Sequence, residues 1–207
     1  MKHLNQFITE YIIKKKLDKP IDSEYKYHPQ TKDKLIENIK ELLYKRENDL
    51  NCIDTSAITD MSFLFMNINV IIDNIDVSNW NVSNVTNMEG LFNNCKKFNC
   101  DLSKWDVSNV KDMSYMFYNC GNFDCDLSNW DVSNVTNMYT MFEGCSKFKG
   151  KGLENWDVSK VESISYMFFD CINFDCDLSN WNVNNVKNMK RMFYNCNLKN
   201  TPKWYKE

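Results

Sequence analysis

Over residues 95–117 the apolar positions are Cys95, Phe98, Cys100, Leu102, Trp105, Val107, Val110, Met113, Met116 and Phe117, with polar residues between them. Phe98, Cys100 and Leu102 alternate with Asn99 and Asp101, a period of two that predicts a strand with the first set facing inward. Met113, Met116, Phe117 and Cys120 are spaced i, i+3, i+4, i+7, which predicts two turns of helix over MSYMFYNC. The residue before this run is Asp60, Asn87, Asp112, Asn137, Ser163 or Asn188 along the chain, each able to cap a helix N-terminus. Between strand and helix, Trp-Asp-Val-Ser-Asn-Val is rich in turn formers and reverses the chain, with Val107 and Val110 inward.

The pattern recurs. Trp80, Trp105, Trp130, Trp156 and Trp181 are separated by 25, 25, 26 and 25 residues, and Phe92, Phe117, Phe142, Phe168 and Phe193 keep the same rhythm. Six copies begin at Asp49, Asp76, Asp101, Asp126, Gly152 and Asp177; the first is degenerate, with Ile53 at the Trp position and Phe65 at the Phe position. A period of this length predicts units that bury their apolar faces only by stacking on neighbours.

The flanks have patterns of their own. Leu4, Phe7, Ile8, Tyr11 and Ile12 share one helical face, which marks 1–20 as an amphipathic leader helix. Residues 21–48 form an N-terminal cap: a short extended piece at Tyr25–Pro29, then a helix over about 32–47, opened by Thr31 and carrying Leu35, Ile36, Ile39, Leu42 and Leu43 on one stripe. Residues 49–198 are the six units, and 199–207, with Pro202 and Trp204 following Leu198, reads as a shortened last coil that caps the far end.

One strand and one short helix per unit, with spacing that tracks L-x-x-L-x-L, predict a leucine-rich-repeat-like α/β solenoid. Its parallel sheet lies on one face, short helices or turns lie on the other, and a helix caps the N-terminal end. The unit DLSxWDVSNVxxMxxMFxxCxxF resembles the roughly 26-residue bacterial surface-protein repeat grouped with the BspA-like leucine-rich repeats. That resemblance implies a solenoid that binds other macromolecules, often at a cell surface, and it transfers no catalytic residues.

Composition narrows the function. With 43% hydrophobic and 14% aromatic residues in 207, and only five Gly and three Pro, the chain has ample core and little linker. It contains no apolar run of 18 residues and opens without a signal-peptide pattern, so it is expected to be soluble and unexported as encoded, although the resemblance implies relatives that are often surface-exposed. Residues 1–48 carry a net +3 and the units a net −6, which argues against nucleic acid as the partner. A protein partner and a monomeric chain are the expectation.

No enzyme site or cofactor is expected. The nine cysteines fall in columns without a CxxC, and the two histidines, His3 and His28, lie outside the units. The columns read as small buried hydrophobes. Stacked aspartates lack the Gly-rich loop of a tight calcium site. If Phe98, Cys100 and Leu102 point inward, then Asn99 and Asp101 point out, and so do Asp76, Asp124, Asp126, Asp175 and Asp177, giving an acidic strip on the sheet face. A second ladder, Asp106, Asp131 and Asp157 with Asp54, reads as aspartates bonding their own turns. The fourth copy interrupts the strip: Lys147-Phe148-Lys149-Gly150-Lys151-Gly152-Leu153 has one extra residue, predicting a bulge at Gly150–Gly152 and lysines that pair with aspartates on either side. The strip of Asp76, Asn99, Asp101, Asp124, Asp126, Lys149, Lys151, Asp175 and Asp177 is the candidate binding face of a scaffold. The alternative is an assembly component of a phage or cell envelope that docks through its N-terminal segment.

Overall fold

Residues 25 to 27 apart in sequence are neighbours in space. The computed structural model describes residues 25–66, 68 and 74–206. The leader over 1–20 and the start of the cap lie outside the described residues, as do residues 67 and 69–73 near the end of the first unit. Single-residue parallel bridges join Asp60 to Asn87, Asn87 to Asp112, Asp112 to Asn137, Asn137 to Ser163 and Ser163 to Asn188, threading six units on one line.

The expected leucine-rich-repeat-like solenoid with its parallel sheet is not what forms. Among the described residues there is one α-helix, α1 (Lys32–Tyr44), and one 3-10 turn (Leu153–Asn155). Among the described residues the pairings outside these are isolated bridges, and no extended strand is found. The predicted helix in each unit is absent too. In the third unit Tyr115 and Asn119 hold left-handed angles, φ 57° and 56°; Phe63, Thr140, Tyr166 and Arg191 match the first, and Asn94, Asp170 and Asn195 match the second. An α-helix needs φ near −63° throughout, so one left-handed residue in every four stops it.

The amides show what replaces the helix. The N–H groups of Met113, Tyr115, Phe117 and Asn119 donate to the carbonyls of Asn137, Tyr139, Met141 and Glu143 in the next unit, at 3.0, 2.9, 2.9 and 2.7 Å. Those of Met116, Tyr118 and Cys120 close turns on the residue three back. In the fourth unit the N–H groups of Met138, Thr140, Phe142 and Gly144 point onward to Ser163, Ser165, Met167 and Phe169. In the third, fourth and fifth units four peptides therefore carry C=O backward and N–H forward, each paired twice, which satisfies the backbone there without helix or sheet.

Side chains fill the stack as the spacing requires. Met113, Met116, Phe117, Cys120, Phe123 and Leu127 are fully buried, and Val107, Val110 and Trp130 nearly so. Phe117 stacks on Phe92 at 5.6 Å and on Phe142 at 5.5 Å, and within its own unit on Phe123 at 4.0 Å. Each indole N–H reaches back to a carbonyl of the preceding unit: Trp80 to Leu50, Trp105 to Val77, Trp130 to Leu102, Trp156 to Leu127, Trp181 to Leu153 and Trp204 to Leu178. A buried indole needs such an acceptor. Trp204 thus completes the column from the shortened last coil.

The corners are set by aspartate and asparagine. Asp101, Asp106 and Asp112 each accept the N–H two residues on, from Ser103, Ser108 and Ser114, at 2.9, 3.1 and 2.8 Å. The residues expected to cap helices are therefore caps of turns, because no helix follows them. Asn109 and Asn134 donate across units to the carbonyls of Ser83 and Ser108.

α1 covers the first unit. Thr31 accepts from the Lys34 N–H at 3.3 Å, and Leu35, Asn38, Ile39, Leu42 and Leu43 are buried, while Ile36 of the predicted stripe is half-buried. The helix ends at Tyr44, short of residue 47, since Arg46 turns left-handed at φ 62°. Tyr27 pairs with Ile53, so the piece before α1 does extend along the first unit.

The inserted residue of the fourth copy lies where the glycines predicted it, in another form. Gly150 and Gly152 have φ of 86° and 94°, and the 3-10 turn Leu153–Asn155 follows. With no sheet there is no β-bulge. Two left-handed glycines and a tight turn absorb the residue while Phe148 and Leu153 stay fully buried.

Candidate functional site

The predicted strip can now be placed residue by residue. Asn99, Asp101, Lys149, Lys151, Asp175 and Asp177 are exposed, and Asp76, Asp124 and Asp126 are half-buried. Most of this charge is already engaged. Asp76, Asp101, Asp126 and Asp177 accept the N–H of Ser78, Ser103, Ser128 and Ser179, as the other ladder of Asp54, Asp106, Asp131 and Asp157 does with Ser56, Ser108, Ser133 and Ser159. Lys149 pairs with Asp124 at 2.8 Å and Lys151 with Asp126 at 2.6 Å, both toward the preceding unit only. Asp175 instead pairs with Lys199, a partner from the terminal cap that the strand pattern gave no reason to choose. Lys151, followed by the turn bonds of Ser128, holds the Asp126 carboxyl down to about 2. Asn99 Oδ1 accepts the Asp124 N–H at 2.9 Å, tying one unit to the next.

A second row of side chains, on the outer side of the turns that follow Asp112, escaped the sequence reading. Tyr115 meets Tyr139 at 5.1 Å and Tyr139 meets Tyr166 at 6.0 Å, both edge to face. Tyr118 lies 6.1 Å from Tyr115, Phe169 lies 5.8 Å from Tyr166, and Tyr194 stacks on Phe169 at 4.8 Å. Small residues alternate with these rings: Ser114, Thr140 and Ser165 are buried beside them, and the ring of Phe63 fills the space where Gly90 lacks a Cβ. The signal was available as Ser-Tyr, Tyr-Thr and Ser-Tyr in successive copies. It is masked because two different positions of the unit supply the rings in turn.

Beside the rings runs an open groove of about 610 Å³, lined by Glu89, Asp112, Ser114, Tyr115, Thr136, Asn137, Tyr139, Glu162 and Ser163. No lysine or arginine lines it. Asp112 is committed to Ser114 and to the Asn137 amide, and Glu162 pairs with Lys187 at 2.6 Å. Glu89 has no ion pair among the described residues; burial, then the charges of Asp112 and Asp60, raises its pKa. Glu143, next along the row, is raised by burial and then by Asp170. Burial, then bonding to Tyr139, pushes the Tyr115 phenol up to about 12.

Burial disfavours the thiolate form of the cysteines. All nine are free; Cys95, Cys120, Cys145 and Cys171 are buried, while Cys52, Cys100, Cys125, Cys176 and Cys196 are half-buried, less enclosed than a core column. Burial raises Cys95, Cys125, Cys176 and Cys196 to about 12 and Cys100 to about 11. Among the described residues no group of three His, Cys, Asp or Glu is placed to hold a metal, and no helix is long and apolar enough to cross a membrane.

Stacked sequence units with registered turns, an internally paired charged strip and an aromatic, acid-lined groove define a protein whose distinctive chemistry is all on its surface. The chain belongs to the family described as Mycoplasma protein of unknown function, DUF285, whose model matches residues 34–151 and 125–205. No curated protein and no solved structure is significantly similar to it.

Proposed function

We propose that this chain is a non-enzymatic scaffold that binds a protein partner through side chains held in columns along the stack. The observation that carries this reading is the row Tyr115, Tyr139 and Tyr166, half-buried rings fixed edge to face on successive units. Aromatic side chains bring large contact area with little loss of rotamer freedom, which is why they dominate binding energy at protein interfaces. The charged strip is the weaker surface, because turn bonds and lysines already occupy most of its carboxylates. Thiols kept protonated by burial, and a lone described histidine that pairs with Asp54 in the cap, support a role without catalysis. The likeness of the unit to BspA-like surface repeats supports a macromolecular ligand at a cell surface.

Pull-down with the intact chain, with residues 1–20 deleted, and with Lys149→Glu/Lys151→Glu separates the surfaces. The reading predicts a partner retained by both variants. Loss on removing 1–20 would instead favour the docking-peptide alternative, and loss on reversing the lysines would return the site to the charged strip.

A further inference from the structure

We infer that the groove beside Tyr115 and Tyr139 takes an extended protein segment bearing arginine or lysine side chains. This rests on the scaffold reading and adds the chemistry of the partner. Three carboxylates, Glu89, Asp112 and Glu162, border the groove, two tyrosine rings flank it, and no basic side chain lines it. A cation there meets both attractions at once: carboxylates at the rim and the negative faces of rings within about 6 Å. An anionic or phosphate-bearing ligand faces the repulsion of Glu89 and Asp112, with Glu162 already paired to Lys187.

Length also fits. Glu89, Asp112, Asn137 and Glu162 stand on four successive units, and three steps of a parallel ladder at about 4.8 Å make roughly 14 Å. An extended chain rising about 3.3 Å per residue covers that with four or five residues. Alternate side chains then fall about 6.6 Å apart, so two or three basic residues face the groove. Glu89, which makes no ion pair among the described residues and is crowded by Asp112 and Asp60 with only Lys32 nearby to offset them, is the carboxylate such a segment relieves most.

The test titrates the full chain against a dye-labelled peptide of alternating arginine and glycine, with the glutamate-glycine peptide as control, at physiological salt. The expected result is binding of the basic peptide only, weakened about tenfold or more by Tyr115→Ala/Tyr139→Ala. Tyr115→Phe/Tyr139→Phe, which keeps both rings, stays within about threefold, and Glu89→Gln loses about threefold or more. Asp177→Asn, which removes one charge from the other strip, changes affinity by less than about twofold. Equal losses for Asp177→Asn and Glu89→Gln would show only net charge at work and would overturn the proposal. So would unchanged binding in the alanine variant, or saturable binding of a neutral oligosaccharide in place of the peptide. A partner captured by the intact chain and kept by every groove variant sinks the groove alone; capture unaffected by variants on either strip sinks the scaffold reading as well.

Discussion

The Cys145 thiol donates to the Phe117 carbonyl oxygen of the preceding unit at 3.0 Å, and Cys120, Cys171 and Cys196 make the same bond to Phe92, Phe142 and Phe168. Phe117 O also accepts the Cys120 N–H within its own unit. The column is therefore a set of donors as well as small apolar bodies. Cys145→Ala should cost about 1–2 kcal/mol, combining a lost hydrogen bond with a small void, and Cys145→Ser should cost less because its hydroxyl still donates. Urea melts decide: serine more damaging than alanine would mean that the site values apolarity over the bond.

The same thiols set the alkaline limit. Burial raises Cys95, Cys125, Cys176 and Cys196 to about 12 and Cys100 to about 11, while Cys120, Cys145 and Cys171 also move well up. Above the unfolded thiol value, near 8.5, the unfolded chain gives up protons that the folded chain keeps, so stability falls with rising pH. The loss should run from about pH 9 toward 12 and shrink when Cys95 and Cys120 are replaced by valine. At the acid end the sign reverses: Asp126, held near 2 by Lys151 and then by Ser128, contributes above pH 4 and loses that contribution as pH falls. Because its Lys151 partner is exposed and Asp126 itself only half-buried, the pair contributes little. A melting temperature flat from pH 7 to 11 would contradict the burial of the thiols.

Gly152 tests the treatment of the extra residue. A Cβ there would lie 2.3 Å from the Ser128 nitrogen and 2.6 Å from its Cα, at φ 94°. Backbone cannot yield as a side-chain tip can, so Gly152→Ala should cost roughly 2–4 kcal/mol by strain and overlap together. Gly121, whose Cβ would find its nearest atom at 3.7 Å, is the control, and Gly121→Ala should change stability by under about 1 kcal/mol. Similar effects at both sites would mean that the chain relaxes around the insertion.

Trp130 joins core and backbone. It is 4% exposed, and its indole N–H donates to Leu102 O at 3.1 Å. Trp130→Ala should cost about 3–5 kcal/mol, and Trp130→Phe, which keeps a ring but removes the indole bond and leaves Leu102 O only the Trp105 N–H, about 1–3. A loss below about 1 kcal/mol for the alanine variant would mean that the column faces outward.

The inward residues could be read from the apolar period, but the backbone conformation could not. Met113, Met116, Phe117 and Cys120 are all buried, as a helix would have them. The spacing i, i+3, i+4, i+7 is equally produced by successive turns that close every four residues, and side-chain burial does not distinguish the two. The deciding residues are Tyr115 and Thr140, at φ 57° and 58°, where no glycine announces a left-handed turn. Their strain, about 1–2 kcal/mol each, is offset by amides that reach the next unit, an interaction between residues 24 apart that no local pattern reports. Phe98 and Leu102 alternate with exposed Asn99 and Asp101 as a strand would, yet the segment is stitched by side chains such as Asn99 to the Asp124 N–H instead of by a backbone ladder. The candidate strip was legible as exposed charge because aspartate and lysine announce themselves. The tyrosine row was not, since Tyr115 and Tyr139 occupy different positions of their units and align only when the units stack.

The hydrogen bonds of residues 113–119 carry the whole description, and trans-hydrogen-bond scalar couplings in NMR measure them directly. Stacked turns predict couplings from the amide nitrogens of Tyr115, Phe117 and Asn119 to the carbonyl carbons of Tyr139, Met141 and Glu143. Couplings from Phe117 to Met113 and from Tyr118 to Ser114, the i to i−4 pattern of an α-helix, would contradict it.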